Sequence, residues 1–321
     1  MAGKYDICLD IGGTKVLGVL FDKKKNIVAR TKKKSKVFGD DATDVEKVIT
    51  AVVDDMLKEN NLKISDISAI SAGMPGVVDS AAGVVIFTPN LPFRDYDLAS
   101  VMSKKYGVPF YIGNDVNLGV LGEHRYGAAM GKKYVVGLFP GTGMGGGIIV
   151  DGELYTGYGF KGAEIGHMIV QADGPKCGCG QRGCLEAFSS KKGMSSYIIE
   201  QTERGRTSYM SDKIVNGVFK SSVLKKAIAR NDEVALEAVN RACHWMAVAT
   251  GSLINIFSPE VVVYGGGVME AVGDIFMEKI EAQVDRYCMP SIRSTVELKK
   301  ADLGDYSNIY GALALIEDAR K

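Results

Sequence analysis

One histidine and three cysteines form the most distinctive chemical pattern in this sequence. His167, Cys177, Cys179 and Cys184 lie within the segment GHMIVQADGPKCGCGQRGC. Three thiolates and one imidazole complete the tetrahedral shell that zinc prefers, and a full set of protein ligands is typical of structural rather than catalytic zinc. The pattern therefore predicts a structural zinc site. Three incidental cysteines, one of them a redox thiol, are the alternative.

Two acidic residues lie on either side of this cysteine cluster. Glu164 precedes it and Glu186 follows it. A zinc ion in the loop would hold both carboxylates rigidly, and carboxylates accept short, directional hydrogen bonds from sugar hydroxyls. The pair predicts a polyol site beside the metal, with ordinary surface glutamates as the alternative.

Three glycine-rich turns each follow a predicted strand. They span Asp10–Lys15, Gly141–Gly147 and Gly265–Gly267. Glycine lets successive backbone N–H groups approach a phosphate without interference from a Cβ atom. One such turn is usually only a turn, but three in corresponding places favour a nucleotide site. None has the GxxxxGK[ST] pattern of a P-loop, and the second turn leads into a hairpin instead of the helix of a dinucleotide-binding fold.

Polar residues at two predicted strand ends complete the candidate chemistry. Asp10 can hold Mg²⁺ through waters against nucleotide phosphates, or can simply cap its turn, and Thr14 and Lys15 can donate to phosphate oxygens. In the segment GNDVN, Asp115 can accept a hydroxyl proton during phosphoryl transfer, and Asn114 can hydrogen-bond a polyol. Taken alone, this second segment is equally an unremarkable turn.

The elements that must position these residues occur twice along the chain. The first half has the predicted order β-β-β-α-β-α-β, which is that of a ribonuclease-H-like domain. Its first helix carries apolar residues at spacings of three and four from Val45 to Leu57, with Thr43 and Glu46 as a predicted capping box. The segment from Tyr134 to Tyr155 then repeats the opening strand, Gly-Thr turn, strand, polar turn and strand. This repeat predicts two related domains of an α/β fold that pack across a cleft.

The second half also contains a long amphipathic helix ending at Phe257 and a buried strand, Val261–Tyr264. We expect a small N-terminal α/β domain of residues 1–118, joined by the C-terminal helix at about 305–321. A larger α/β domain with the zinc-binding loop would then span residues 119–304.

Composition excludes several classes of function. The 321 residues carry 39 basic and 38 acidic side chains, so the net charge of +1 gives no indication of a nucleic-acid or membrane partner. The N-terminus lacks the apolar core of a signal peptide, and no apolar run reaches the ~20 residues of a membrane helix. We therefore expect a cytoplasmic protein, in which structural disulfides are disfavoured.

Six segments together identify a family resemblance: DIGGTK, GNDVN, GTGMGGG, EIGHM, CGCGQRGCLE and YGGGV. They resemble the ROK family of bacterial sugar kinases and sugar-responsive repressors, from Tyr5 to about Gly311. The resemblance implies two actin-like ATPase domains around a cleft. CxCGxxGCLE is highly specific to the family, whereas DIGGT is shared with other actin-like kinases.

The resemblance also implies a role for each matching position. It makes Asp115 the catalytic base toward a sugar 6-hydroxyl, with ATP, Mg²⁺ and a structural Zn²⁺ as the bound groups. His167 would bind sugar with one ring nitrogen and zinc with the other. The implied sugar ligands are Asn90, Asn114, Asp115, Glu164, His167 and Glu186. The implied nucleotide contacts are Asp10, Gly12, Gly13, Thr14, Gly141, Thr142, Gly143, Gly265 and Gly266.

Two kinds of alternative remain open at this level. Glucose is the favoured acceptor, because NLPF and the uninterrupted catalytic set resemble family glucokinases, but N-acetylglucosamine, N-acetylmannosamine, fructose and mannose are competing acceptors. A non-enzymatic sugar sensor is the other alternative. Family repressors carry a helix-turn-helix domain before DIGGT, and here Asp10 leaves no room for one, so we expect an enzyme. A homo-oligomer, dimer or tetramer, is an expectation from the family.

Overall fold

The computed structural model describes residues 3–13, 15–34 and 41–321. Thr14, one of the predicted phosphate donors, lies outside the described residues. The strands are β1 (Tyr5–Ile11), β2 (Lys15–Asp22), β3 (Ile27–Lys34), β4 (Ile67–Met74), β5 (Val77–Asp79), β6 (Val84–Phe87), β7 (Arg94–Tyr96), β8 (Phe110–Asn114), β9 (Val135–Pro140), β10 (Met144–Val150), β11 (Glu153–Leu154), β12 (Val261–Tyr264) and β13 (Glu297–Lys300).

The helices between these strands include the two predicted long ones. They are α1 (Ala42–Glu59), α2 (Leu98–Tyr106), α3 (Asp115–Tyr126), α4 (Glu186–Ser189), α5 (Lys191–Glu203), α6 (Ser221–Ala229), α7 (Glu233–Phe257), α8 (Gly266–Val284), α9 (Pro290–Arg293) and α10 (Ser307–Asp318). Among the described residues, no helix combines the length and the apolar character needed to cross a membrane.

The chain divides into two compact units. Unit 1 comprises Met1–Gly127, Thr156–Gly162 and Tyr306–Lys321, and unit 2 comprises Ala128–Tyr155 and Ala163–Asp305. Unit 2 is therefore inserted into the sequence of unit 1. Each unit has its own hydrophobic core, as expected for an independent domain.

Unit 1 is built on a five-stranded sheet of order β3-β2-β1-β4-β8. β1 is antiparallel to β2 and parallel to β4, and β4 is parallel to β8. β1 and β4 are almost entirely buried, which is typical of central strands with both faces covered. The apolar residues of α1 are buried in the same core.

The predicted start of α1 is wrong in one detail. Asp41 is the N-cap, and its carboxylate accepts from the backbone N–H of Thr43 at 3.0 Å. Glu46, the predicted partner in a capping box, instead accepts a hydrogen bond from the hydroxyl of Tyr96. A carboxylate caps an N-terminus at least as well as the threonine hydroxyl, so Asp41 takes the place predicted for Thr43.

The C-terminal helix α10 packs on α3 and on the strands of unit 1. The two helices come close because Gly311 faces the backbone of Leu118, where any Cβ would collide with the carbonyl oxygen. Beyond the helix, the Arg320 guanidinium pairs with the buried carboxylate of Asp6 at 2.6 and 2.9 Å. This two-point contact ties the end of the chain to β1, the first strand.

The sheet of unit 2 repeats the pattern of unit 1. Its order is β11-β10-β9-β12-β13, with β10 antiparallel to β11 and β9, and β12 parallel to β9 and β13. The sequence of strand directions is the same as in unit 1. The predicted duplication of a ribonuclease-H-like fold is thereby confirmed. Residues of α7 and α8 fill the core beside this sheet.

Candidate functional site

The four predicted zinc ligands lie together in unit 2. Each residue offers one ligand atom, and these four atoms all lie within 4.8 Å of one another. The residues are His167, Cys177, Cys179 and Cys184. Nδ1 of His167 is 3.7 Å from Sγ of Cys177, and Sγ of Cys179 is 3.7 Å from Sγ of Cys184. The residues are separated in sequence but share one small volume.

These distances fit a zinc ion and not a disulfide. With Zn–S bonds of about 2.3 Å, the edges of a tetrahedron of sulfur ligands are about 3.8 Å, close to the observed separation of 3.7 Å. A disulfide needs sulfurs about 2.05 Å apart, and all the cysteines are free thiols. Cys177 and Cys184 are buried, and burial raises the pKa of both thiols. A bound cation would offset the cost of holding them as thiolates.

The backbone of the loop fixes the thiols from several sides. The N–H of Cys177 donates to the carbonyl of Gln181 at 2.8 Å, and Cys184 forms a β-bridge with Ile169. Gly183 has φ of 79° and contacts the carbonyl of Gln171 so closely that a Cβ would collide with it. Glycine is therefore required there both for the left-handed conformation and for the close approach.

Glu186 connects this cluster to a glycine-rich turn. As the first residue of α4, it accepts from the backbone N–H of Met144 through Oε2 at 3.0 Å, while Oε1 is 3.5 Å from Sγ of Cys177. A Cβ at Gly143 would lie 2.5 Å from Oε2, so glycine leaves room for the carboxylate. The predicted sugar ligand and the predicted nucleotide turn are thus in direct contact.

The histidine and the other glutamate come from a short 3₁₀ turn, Ile165–His167. The backbone N–H of His167 donates to the carbonyl of Glu164 at 2.9 Å, which closes this turn. Ile165 is buried beneath it, against Gly146 of β10. The side chain of Glu164 is exposed, whereas the Nδ1 edge of His167 faces the thiols.

Backbone hydrogen bonds join the turn Gly141–Gly143 to the start of α5. The carbonyl of Gly141 accepts from the N–H of Lys191 at 3.0 Å, and the carbonyl of Thr142 accepts from the N–H of Lys192 at 3.2 Å. The N–H of Gly141 donates to the carbonyl of Gly143 at 2.8 Å. The carbonyl oxygens of the turn, which would repel a phosphate, are therefore engaged in hydrogen bonds, and the turn is ordered.

The third turn starts a helix, since Gly265 is the N-cap of α8. Gly266 has φ of 81° and lies against the end of β9, where a Cβ would be 3.0 Å from the carbonyl oxygen of Pro140. The hydroxyl of Ser221 donates to the carbonyl of Gly267 at 2.7 Å. An uncapped helix N-terminus offers free N–H groups to an anion.

Unit 2 also contains an open cavity of about 270 Å³ next to the thiol cluster. Cys177, Gly178 and Glu186 line one part of it. Lys192 and the turn at Asn216 and Gly217 line another part. The cavity therefore runs from the proposed sugar carboxylate to the N-terminal turn of α5.

In unit 1, two acidic residues meet at one edge of the sheet. Asp10 near the end of β1 pairs in register with Gly73 of β4, which in turn pairs with Gly113 of β8. Asp115 follows at the first position of α3. Because β1, β4 and β8 are parallel, their carboxyl ends share this edge, where ligands of α/β sheets usually bind. Gly73 between the two carboxylates carries no side chain to separate them.

The pKa of Asp115 is raised to about 6. Burial is the main cause, the negative charge of Asp10 adds to it, and hydrogen bonds from the backbone N–H groups of Val116 and Asp115 partly oppose it. A carboxylate with this pKa is a far better proton acceptor near neutral pH than an ordinary aspartate.

Both polar atoms of the Asn114 side-chain amide form hydrogen bonds within the protein. Its Oδ1 caps α3 by accepting from the N–H of Asn117 at 2.9 Å, and its Nδ2 donates to the carbonyl of Gly76 at 2.9 Å. The amide retains one further donor and one further acceptor capacity for a ligand. Its orientation is fixed before any ligand arrives.

The first glycine turn and the predicted sugar loop are neighbours in unit 1. The N–H of Gly12 donates to the carbonyl of Lys15 at 2.9 Å. A Cβ at Gly13 would lie 3.8 Å from Cβ of Asn90, whose side chain is exposed. Asn308 of α10 donates to Asp10 at 3.4 Å. The structure thus places Asn90 beside the turn that carries Gly12 and Gly13.

Sequence reasoning missed several residues that shape these two regions. They are Lys191, Ser221 and Asn308. Asn308 acts through a long-range hydrogen bond that no local pattern indicates. Lys191 had a local signal, because Ser190 before it is a residue type that strongly favours the N-cap of a helix.

Comparison with known proteins adds independent findings. The ROK family model matches residues 6–319. A glucokinase of Thermotoga maritima is 35% identical over 268 residues, which are 82% of this chain and 84% of that protein. A putative xylose repressor of a Caldicellulosiruptor species is 31% identical over 252 residues, which are 78% of this chain and 62% of the repressor. Sugar kinases and sugar repressors are therefore both among its relatives.

A crystal structure of similar fold carries ligands. The ROK family glucokinase of Streptomyces griseus in complex with glucose and AMPPNP aligns with a TM-score of 0.81 and 28% identity. The alignment covers 97% of this chain and 98% of that one.

Proposed function

The chain belongs to the ROK family, and we propose that it is an ATP-dependent hexose kinase that phosphorylates a 6-hydroxyl, most readily that of glucose. The observation that carries the proposal is Asp115, a carboxylate with a pKa of about 6 at the carboxyl edge of the unit 1 sheet. A proton acceptor of this kind has a role in phosphoryl transfer but none in passive sugar binding.

In the proposed reaction, Asp115 accepts the proton of the sugar hydroxyl as that oxygen bonds to the γ-phosphorus of ATP. The bond between the γ-phosphorus and the bridging oxygen breaks, and ADP leaves with that oxygen. Mg²⁺, when bound, neutralises the phosphate charge, and Asp10 is the residue of unit 1 that would hold it, through water. Positioning supplies most of the rate in such transfers.

The proposed sugar ligands are those that the family resemblance implies. They are Asn90, Asn114, Asp115, Glu164, His167 and Glu186. Glutamate and asparagine side chains suit hydroxyl groups, because each can hold a vicinal pair with good geometry. Zinc on His167 and the three thiols would keep the histidine ring and Glu186 in place, a structural role that supports binding without entering the chemistry.

The nucleotide would lie on the glycine turns. The family resemblance implies Gly141–Gly143, Gly265 and Gly266, together with Gly12 and Gly13, and Lys15 is proposed as a further phosphate donor. Thr14 is proposed on the family resemblance alone. Three expectations remain predictions. They are the domain bounds, the closure of the domains over the substrates, and the homo-oligomer.

A sugar sensor without activity is the second candidate, because a repressor is among the relatives. An ADP-release assay over glucose, N-acetylglucosamine, N-acetylmannosamine, fructose and mannose separates the candidates, with thermal-shift binding of the same sugars in parallel. ADP release with glucose above the other sugars is expected. Sugar binding with no ADP release for any acceptor would favour the sensor. ADP release with another hexose would support the kinase and replace glucose as the proposed acceptor.

A further inference from the structure

Ala163, directly before the proposed sugar ligand Glu164, has a backbone conformation that alanine rarely adopts. Its φ is 60°, in the left-handed region. Most other non-glycine residues with positive φ in the described part of the chain are asparagine or aspartate, whose short polar side chains can form local hydrogen bonds there. An alanine has no such compensation, and backbone strain of this kind is concentrated at functional sites.

The strained residue leads into a tight turn centred on Glu164. The N–H of Ile165 donates to the carbonyl of Ala163 at 2.7 Å. Glu164 has φ of −73° and ψ of 55°, close to the values of an inverse γ-turn. The carbonyl that closes this turn belongs to Ala163, so a change in the backbone angles of Ala163 would open the turn and redirect the Glu164 side chain.

The residues that follow Glu164 are packed on the start of β10. A Cβ at Gly166 would lie 2.0 Å from the carbonyl oxygen of Met144, so the two backbones are in direct contact, and Ile165 is buried. The N–H of the same Met144 donates to Glu186 at 3.0 Å. One residue of β10 therefore contacts both the segment that carries Glu164 and the carboxylate of the other proposed sugar ligand.

The side chain of Ala163 explains how the strained conformation is held. Its methyl group packs against the hydrophobic core of unit 2. Strained backbone persists only where the surrounding structure fixes it, and the core contact and the γ-turn do so here. We propose that Ala163 is a positioning residue for the sugar, because its left-handed conformation directs the Glu164 carboxylate. The inference rests on the proposed function, which makes Glu164 a sugar ligand.

Calorimetric titration of variants at this position tests the role, with the hexose of the acceptor panel that binds best. Ala163→Gly and Ala163→Asn accept the left-handed conformation, so we expect sugar affinity within about threefold of the wild type. Ala163→Val opposes that conformation, so sugar affinity should fall about tenfold or more while ATP affinity stays within about twofold. Ala271→Val, a half-buried alanine of α8 on the same core, is the matched control and should keep both affinities.

A double-mutant cycle shows whether the effect acts through the carboxylate. Once Glu164→Ala has removed that group, Ala163→Val should cost little further sugar affinity. Additive losses would overturn the positioning role, and so would an equal loss of ATP affinity in Ala163→Val, which indicates general damage to the fold. The glycine and asparagine variants keep the test decisive if the valine variant does not fold, because a tenfold loss in both would also overturn the role.

The outcomes separate this inference from the proposed function. Coupling between Ala163 and Glu164 in a chain that binds sugar but releases no ADP would support the positioning role and overturn the kinase. Additive losses in a chain that phosphorylates the sugar would overturn the positioning role alone. Unchanged sugar affinity in Glu164→Ala would overturn Glu164 as a ligand, and this inference with it. A wild type that binds none of the hexoses would overturn both proposals.

Discussion

Glu186 and Met144 are joined by a hydrogen bond in which the backbone N–H at the start of β10 donates to Oε2 at 3.0 Å. The other carboxylate oxygen lies 3.5 Å from Sγ of Cys177. One side chain therefore contacts both the cluster of predicted zinc ligands and the strand that follows the Gly141–Gly143 turn. A disturbance of either neighbour should reach a proposed sugar ligand.

Removing the proposed base should abolish most of the turnover. In Asp115→Asn we expect kcat to fall by about 10²–10⁴-fold with little change in sugar affinity, because the amide cannot accept a proton but retains the acceptor that Val116 uses. Steady-state kinetics and sugar titration measure the two effects. Asp212→Asn, at an exposed position of unit 2, is the control. Turnover close to that of the wild type would remove Asp115 from this role.

The pH dependence of kcat/KM should report the same carboxylate. The proposed role requires the ionised form, so kcat/KM should be constant well above pH 6 and fall tenfold per pH unit below it. The charge of Asp10 helps to raise this pKa, so the residual activity of Asp10→Asn should show the acidic limb at lower pH. A limb that stays in place would show that Asp10 does not influence the base, and a limb that moves to higher pH would contradict the sign of the effect.

The same pKa predicts a stability effect. Since the folded-state pKa of Asp115 lies above its usual value of 3.8, the folded chain binds more protons than the unfolded chain between about pH 4 and 6. Ionisation through that window costs the folded state free energy. Asp115→Asn should therefore be more stable than the wild type by about 1–2 kcal/mol above pH 7, after allowance for solvent screening. The difference should vanish below about pH 4, as thermal unfolding across pH would show.

Loss of the metal should weaken the sugar more than the nucleotide. We expect one zinc per chain by elemental analysis, and Cys184→Ser should lose it and bind sugar about 10–100-fold more weakly, because Glu186 and His167 lose their support. Cys288→Ala, a partly buried thiol away from the cluster, should retain both properties. Undiminished sugar binding by verified zinc-free protein would separate the metal from the sugar site.

The contact between Gly143 and Glu186 can be tested by changing the size of each side chain. Gly143→Ala places a methyl group 2.5 Å from Oε2 of Glu186, which must then move, so sugar affinity should fall. Shortening the carboxylate with Glu186→Asp should relieve that clash, and the double variant should then lose less than the two single losses combined. Additive losses in a double-mutant cycle of sugar affinities would indicate that the two residues act independently.

The sequence was sufficient where patterns are local or chemical types are rare. Val261–Tyr264 was predicted with its observed bounds, and the cluster of three cysteines with a histidine was found from composition and spacing. The repeated order of strands and turns also predicted two related domains, and the two sheets have the same set of strand directions. Such features depend on only a few residues at a time, so they can be recognised from the sequence alone.

Other features depend on contacts between distant segments. The sheet β5-β6-β7 was missed because its strands are short and half exposed, and β13 was missed because ELKK has the polarity of a loop. The raised pKa of Asp115 depends on burial and on Asp10 across β4, and neither follows from GNDVN. The left-handed conformation of Ala163 depends on packing against the core of unit 2.

The ion pair between Asp6 and Arg320 also has a consequence for biosynthesis. β1 emerges from the ribosome early, but α10 and Arg320, which complete unit 1, are translated after the whole of unit 2. Unit 2 has its complete sequence before then, so a chain that lacks α10 still carries every residue of unit 2 but leaves unit 1 without its final helix. A released chain truncated before Ser307 should therefore protect unit 2 from protease and leave the first strands vulnerable.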